Sequence, residues 1–220
     1  MGNTFTETLR TENEQAWLQA VQHRFVQELF DGRLAEPVMA GYLTQDYRFL
    51  DSFLVLVGAG IATADSYEAR LRLARFAGEI SGEENTYFLR AFEALGVSKP
   101  QRDAVPDTLA TAGFKSLFVA AAATRDYAAI LAVLLVAEWL YLEWASKAPE
   151  TLPGSFVHAE WITLHDNPPF RDFVSFLRNE VDRIGPKRGD QVRDYFQQAV
   201  ALELAFFDLS YQHPLPGWSR

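Results

Sequence analysis

Residues 126–144 read DYAAILAVLLVAEWLYLEW, and this stretch decides the fold class. From Tyr127 to Ala137 no charged side chain occurs, and Glu138 is the first to interrupt the run. A bilayer-spanning helix needs roughly 20 apolar residues, so the run reads as the core helix of a folded domain, capped by Asp126 and closed before Pro149. Such a helix must be covered on every side. The flanking sequence supplies the cover at the helical period. Trp17, Val21, Phe25 and Leu29 mark one face of a first helix over residues 12–30 that stops near Gly32. Pro37 opens a second helix continuing through Leu43, Phe49, Phe53 and Leu56, with Gly58 and Gly60 expected to loosen or bend its end. Asp65 with Glu68 reads as a capping box for a third helix reaching about Leu95 and stopped by Gly96. Ser98 with Gln101 repeats that signal before a short piece ending near Pro106, and Asp107 opens a helix to about Ala123. Asn167 before Pro168 and Pro169 marks another start, with an end near Gly185 and Pro186, and a last helix covers residues 190–211. No segment alternates as a strand does. The expected architecture is one all-α bundle domain over residues 1–220.

Composition narrows the function. The 220 residues are 49% hydrophobic and 14% aromatic, too rich in core formers for disorder. The absence of cysteine excludes disulfide scaffolds, thiolate metal sites and a cysteine nucleophile. With 20 basic against 29 acidic residues the net charge is −9, which argues against nucleic acid and acidic membrane surfaces as partners. The first ten residues, MGNTFTETLR, show neither a basic nor an apolar signal region, and Gly2 fits a myristoylation start only loosely. A cytoplasmic address is expected. Glycine-rich phosphate loops, HExxH and GxSxG are absent, and the four histidines form no Glu-x-x-His pair, so no metal and no cofactor are expected.

The informative feature is carboxylate inside apolar sequence. Glu138 lies in LLVAEWLYLEW, Glu203 is the only charge in AVALELAFF, and Asp46 lies in a helix otherwise rich in apolar residues. On a helix Tyr141 falls about 40° from Ala137 and about 60° from Glu138, so the three can face one cavity. An unpaired carboxylate in such surroundings costs several kcal/mol, and desolvation raises its pKa toward values useful in proton transfer. One isolated example would read as a boundary residue facing water or an arginine. Three, on three long helices flanked by aromatics, point to a shared polar pocket. Glu143 and Asp51 have closer polar company and read as structural ion-pair partners.

These residues carry a resemblance. HRFV at 23–26, LFDGRL leading to YLTQDYRFLDSF at 42–53, AEWLYLEWA at 137–145 and the terminal ALELAFFDLSYQHPLPGW together resemble the TenA/THI-4 family, also called thiaminase II or aminopyrimidine aminohydrolase, from about Trp17 to Trp218. The resemblance implies a heme-oxygenase-like helical bundle, a cytosolic homotetramer, and a thiamin-salvage hydrolase acting on the C–N bond of 4-amino-5-aminomethyl-2-methylpyrimidine. By the same resemblance Asp46 matches the pyrimidine-binding aspartate and Phe49 an aromatic, usually tyrosine, three positions on. Tyr141 matches the tyrosine after the nucleophile, Glu203 the acid/base glutamate, and Phe114 and Phe206 the ring-packing aromatics. The sequence departs from the family at Ala137, which occupies the place of the cysteine nucleophile, at His165 in place of a tyrosine, and at Phe88 in place of a histidine. A cysteine-less branch of the family carries a glutamate near this site, which Glu138 fits, and is assigned to aminopyrimidine or formylaminopyrimidine salvage.

Without cysteine the expected reaction is direct displacement by water, with Glu138 and Glu203 sharing the acid and base roles, in either order. Two other readings stand beside it. One is a pyrimidine-binding or regulatory relative without turnover; the other is a redox relative such as a pyrroloquinoline-quinone synthase or di-iron oxygenase. The scarcity of histidine and of basic pocket residues weighs against the second.

Overall fold

The computed structural model describes residues 3–215. Gly2 and the last part of the C-terminal signature, residues 216–218, lie outside the described residues. Among those described, α-helices dominate and no strand occurs: α1 (Phe5–Glu12), α2 (Glu14–Val21), α3 (Arg24–Phe30), α4 (Glu36–Thr63), α5 (Tyr67–Glu79), α6 (Asn85–Ala94), α7 (Lys99–Ala104), α8 (Leu109–Ala123), α9 (Tyr127–Ala145), α10 (Phe156–Leu164), α11 (Pro168–Ile184) and α12 (Gly189–Gln212).

The helix α9 is the axis. Asp126 caps it by accepting from the Ala128 and Ala129 amides at 2.9 and 3.4 Å. It is long and apolar enough to cross a membrane by composition alone, yet 83% of its most apolar window is buried. The cover comes from α2, α4, α8, α11 and α12, which pack around it. The all-α reading holds.

Most helix starts carry the chemistry read from the sequence. Ser98 and Gln101 form a reciprocal capping box, and Asn167 accepts from the Phe170 amide at 2.9 Å ahead of Pro168 and Pro169. Gly96, at φ +69°, ends α6 in the left-handed conformation that glycine adopts without strain.

Four expected boundaries shift, each for a local reason. The first helix is divided, because the His23 ring accepts from the Phe25 amide at 3.0 Å and starts α3 afresh. At the next start Ser66, rather than Asp65, caps α5, while Asp65 pairs with Arg183. Thr108, rather than Asp107, caps α8, because Asp107 is held by Arg48 and Lys115. The end of α4 is not loosened: the helix continues through Gly58 and Gly60 to Thr63.

The expected third helix is also interrupted. Between α5 and α6, residues Ile80–Glu84 form a π-helical turn. A π turn inserts one residue into the helical ladder and re-aims the side chains on it, and such turns recur at functional sites.

Candidate active site

A cavity of about 160 Å³ lies between α4, the end of α5, the π turn, α8, α9, α10, the start of α11, and α12. That volume is close to the ~150 Å³ of a cavity that takes up benzene, so one monocyclic ring with short substituents fits. Its apolar walls include Phe49 and Phe53 from α4, Phe114 and Phe118 from α8, and Trp161 from α10. Glu83 and Pro169 are exposed where the π turn and α11 meet the opening.

The three carboxylates singled out in the sequence all reach this cavity, with Ala137, Tyr141 and His165 beside them. Asp46, Glu138 and Glu203 are 5%, 7% and 4% exposed. Burial drives each carboxyl well above the ordinary range. For Asp46 the negative charge of Glu84 adds to that, and the Tyr42 hydroxyl opposes it by favouring the carboxylate. For Glu138 the charges of Glu84, Glu203, Asp46 and Glu79 add to it, and for Glu203 that of Asp46. Neither glutamate carboxyl has a hydrogen-bond partner among the described residues.

The aromatic side chains divide into lining and support. Phe49 and Phe114 line the cavity with ring centroids 5.3 Å apart. Gln45 fixes this geometry. It donates to the Pro106 carbonyl at 2.9 Å and accepts from the Thr108 amide and the Thr111 hydroxyl, pinning the start of α8 to α4. Phe206 does not line the cavity, contrary to expectation. It packs one layer behind, on Phe49, Phe114 and Tyr42, because α12 turns Glu203 inward and Phe206 toward α4.

Tyr141 meets Tyr42 hydroxyl to hydroxyl at 2.6 Å. With Tyr42 favouring the Asp46 carboxylate, the three groups form a chain from α9 to α4. The His165 Nδ1 donates to the Trp161 carbonyl at 2.8 Å, and burial lowers its pKa to about 4, so the ring is neutral near pH 7. Glu143 lies away from the cavity. Burial works against its charge, but hydrogen bonds from Arg10, Trp17 and Lys147 hold its carboxyl below the usual range. Asp51 is exposed and forms no ion pair among the described residues, so it is not the structural partner expected.

Three acidic residues escaped the sequence reading: Glu79, Glu83 and Glu84 also line the cavity. Glu84 keeps part of its surface toward the cavity while protein surrounds it, and burial pushes its carboxyl up to about 7. The segment GEISGEEN is polar and carries no apolar run to mark its acids; Glu79 ends α5, and Glu83 and Glu84 lie in the π turn. Among the described residues no three His, Asp or Glu side chains are placed to hold one metal ion.

A model of the TENA/THI-4/PQQC family matches residues 10–213. The chain belongs to this family. An aminopyrimidine aminohydrolase of Bacillus subtilis is 26% identical over 219 residues, 98% of this chain and 92% of that protein. Among solved structures, a TenA homologue protein from P. horikoshii OT3 superposes with a TM-score of 0.86 at 23% identity, covering 96% of this chain and 99% of that one. A domain of unknown function with a heme oxygenase-like fold from Shewanella denitrificans gives 0.68 at 15% identity, covering 94% and 92%. The TenA and heme-oxygenase-like fold expected from the resemblance is therefore the fold observed. Within this family member, Ala137 stands on the cavity wall at the position read above as the lost cysteine, directly before Glu138.

Proposed function

We propose that the protein is a C–N hydrolase of thiamin-pyrimidine salvage, acting on 4-amino-5-aminomethyl-2-methylpyrimidine or its formyl derivative with water as the nucleophile. One observation carries the reading: Asp46, Glu138 and Glu203 converge in a one-ring aromatic cavity whose wall at Ala137 offers no nucleophile. The names of curated relatives, aminopyrimidine aminohydrolases at 22–26% identity, support the same reaction class.

In this reading the pyrimidine lies against Phe49 and Phe114, and Asp46 meets its aminopyrimidine edge. The raised proton affinity of Asp46 suits a proton shared with the ring nitrogen, while its other oxygen accepts from the 4-amino group. Tyr42 and Tyr141 hold that carboxyl in place. Water attacks the exocyclic methylene as its bond to nitrogen breaks. One of Glu138 and Glu203, ionised, takes a proton from the water, and the other, protonated, delivers one to the departing nitrogen. The free amine and water become alcohol and ammonia, the formyl derivative and water become alcohol and formamide, and in each case the two glutamates exchange protonation states. Burial without hydrogen-bond partners leaves both carboxyls free to make these transfers.

The test is incubation of the purified protein with the aminomethylpyrimidine, its formyl derivative and thiamin, followed by product detection. Release of hydroxymethylpyrimidine from either of the first two is expected. Binding without turnover would favour the regulatory reading, and neither binding nor turnover would remove pyrimidine salvage altogether.

A further inference from the structure

We infer that His165 sets the specificity of this cavity for the exocyclic group: its Nε2 accepts a hydrogen bond from an N–H or O–H of the ligand, and a substituent with no hydrogen to donate is disfavoured. The inference rests on the proposed function for the placement of the ring against Asp46. It adds a requirement that amine, formamide and product alcohol all meet.

The direction of this hydrogen bond follows from the partner on the other side of the imidazole. His165 closes α10, and its Nδ1 lies 2.8 Å from the Trp161 carbonyl one turn back. A carbonyl only accepts, so Nδ1 carries the proton, and in the neutral ring Nε2 keeps a lone pair. Trp161, Tyr141 and Phe170 hold the ring in place, with centroids 4.4, 4.8 and 5.5 Å away. His165 is only 9% exposed, lines the cavity, and its Nε2 has no hydrogen-bond partner among the described residues. Burial keeps the ring neutral near pH 7, so Nε2 remains an acceptor there. The tyrosine that the resemblance expects at this position would donate to a lone pair of the ligand. This histidine does the opposite.

Position selects the ligand atom that meets Nε2. Phe49 packs on Phe114 and Phe118, and His165 on Tyr141, Trp161 and Phe170, with no ring in common, so the two line different parts of the wall. A ring lying on Phe49 and Phe114 with its aminopyrimidine edge on Asp46 turns another edge to His165. That edge of the pyrimidine offers either the second ring nitrogen or the exocyclic substituent. The ring nitrogen presents a lone pair, which the Nε2 lone pair repels, whereas an N–H or O–H on the substituent is attracted. His165 therefore orients the ring as well as selecting it.

The experiment uses three pyrimidines alike except at the substituent: 4-amino-2-methylpyrimidine bearing hydroxymethyl, methoxymethyl or methyl beside the amino group. Only the first has a hydrogen to donate there, and the other two bracket it in size. Benzyl alcohol, benzyl methyl ether and toluene repeat the comparison without the aminopyrimidine edge. Calorimetry near pH 7 gives the affinities, and nitrogen NMR of protein labelled at histidine reads Nε2 directly. The alcohol of each set is expected to bind on the order of tenfold more tightly than the ether or the hydrocarbon. It should also shift the unprotonated Nε2 resonance of His165, which the other two leave in place. His165→Phe should remove most of the advantage of the alcohol, and His165→Gln, whose amide oxygen accepts, should keep part of it. A proton found on Nε2 in the free wild type, or an alcohol that binds without shifting Nε2, would overturn the inference without reference to any variant. An alcohol advantage unchanged in His165→Phe would overturn it as well. If the benzyl set shows the advantage and the shift while no pyrimidine binds, the acceptor stands and the pyrimidine reading falls. If the three pyrimidines bind equally well and leave Nε2 unmoved, the reverse holds. If no probe binds, both fall.

Discussion

The hydroxyl of Tyr42 on α4 lies 2.6 Å from that of Tyr141 on α9, both groups buried. This pair joins the two helices that supply Asp46 and Glu138 and fixes their separation beneath the cavity. Its members are not equivalent, because Tyr42 also serves Asp46. Tyr42→Phe should strand both the Tyr141 hydroxyl and the Asp46 carboxyl, costing about 1–3 kcal/mol. Tyr141→Phe leaves Tyr42 with Asp46 and should cost less. Thermal melts of the two variants decide this, and equal losses would contradict the chain of three.

Asp46→Asn is expected to fold normally, since the amide closely imitates the neutral acid that burial favours at this position. Its affinity for hydroxymethylpyrimidine should fall about tenfold or more. A carboxylate can accept both from the 4-amino group and from a protonated ring nitrogen, with charge assistance, whereas the amide has one accepting oxygen. Calorimetric affinity equal to wild type would remove the recognition role.

Stability should depend on pH through the cavity. Burial raises the carboxyls of Asp46, Glu84, Glu138 and Glu203 in the folded protein, Glu84 to about 7. Unfolded, the same groups titrate near 4. Between those limits the native state binds more protons, so their contribution is complete below pH ~4 and is lost as pH rises. The melting temperature of the ligand-free protein should therefore fall between pH 5.5 and 8. Glu84→Gln should flatten that slope and melt higher at pH 8, by about 2–4 °C for each kcal/mol relieved. A wild-type profile that rises across this interval, with an identical slope in the variant, would contradict the burial argument.

The fold was legible because α9 has one consistent meaning. A helix apolar on every side, capped by Asp126, demands a surrounding bundle, and the caps at Ser98 and Asn167 mark where its pieces start. Asp46, Glu138 and Glu203 were legible for the complementary reason: each is a charge that its apolar neighbours cannot solvate. Glu79, Glu83 and Glu84 were hidden because they lie in a mostly polar segment, where a carboxylate does not stand out. They share the cavity-facing side of Phe76 and Ile80, and spacing alone does not say whether that side faces a site or solvent. Phe206 was expected at the ring from the resemblance alone, which does not say whether α12 turns it to the wall or one layer behind.

The neighbouring helices α4 and α8 carry exposed apolar side chains, Val55 at 51%, Leu109 at 85% and Val119 at 53%. Cover of such side chains by a second copy of the chain fits the tetramer implied by the resemblance. Sedimentation at micromolar concentration is expected to show a homo-oligomer, and a monomer would contradict it.

Glu138, beside Ala137, is proposed to stand in for the missing nucleophile by acting on water. Turnover of the aminomethylpyrimidine should be measured in Glu138→Gln and Glu203→Gln, with melting temperature and ligand affinity taken on the same preparations. Glu138→Gln is expected to lose about 10²–10⁴ in kcat while binding the ring nearly as well as wild type, the loss expected of a general acid or base. Near-wild-type kcat in Glu138→Gln, with collapse only in Glu203→Gln, would contradict it and leave Glu203 as the sole catalytic carboxylate.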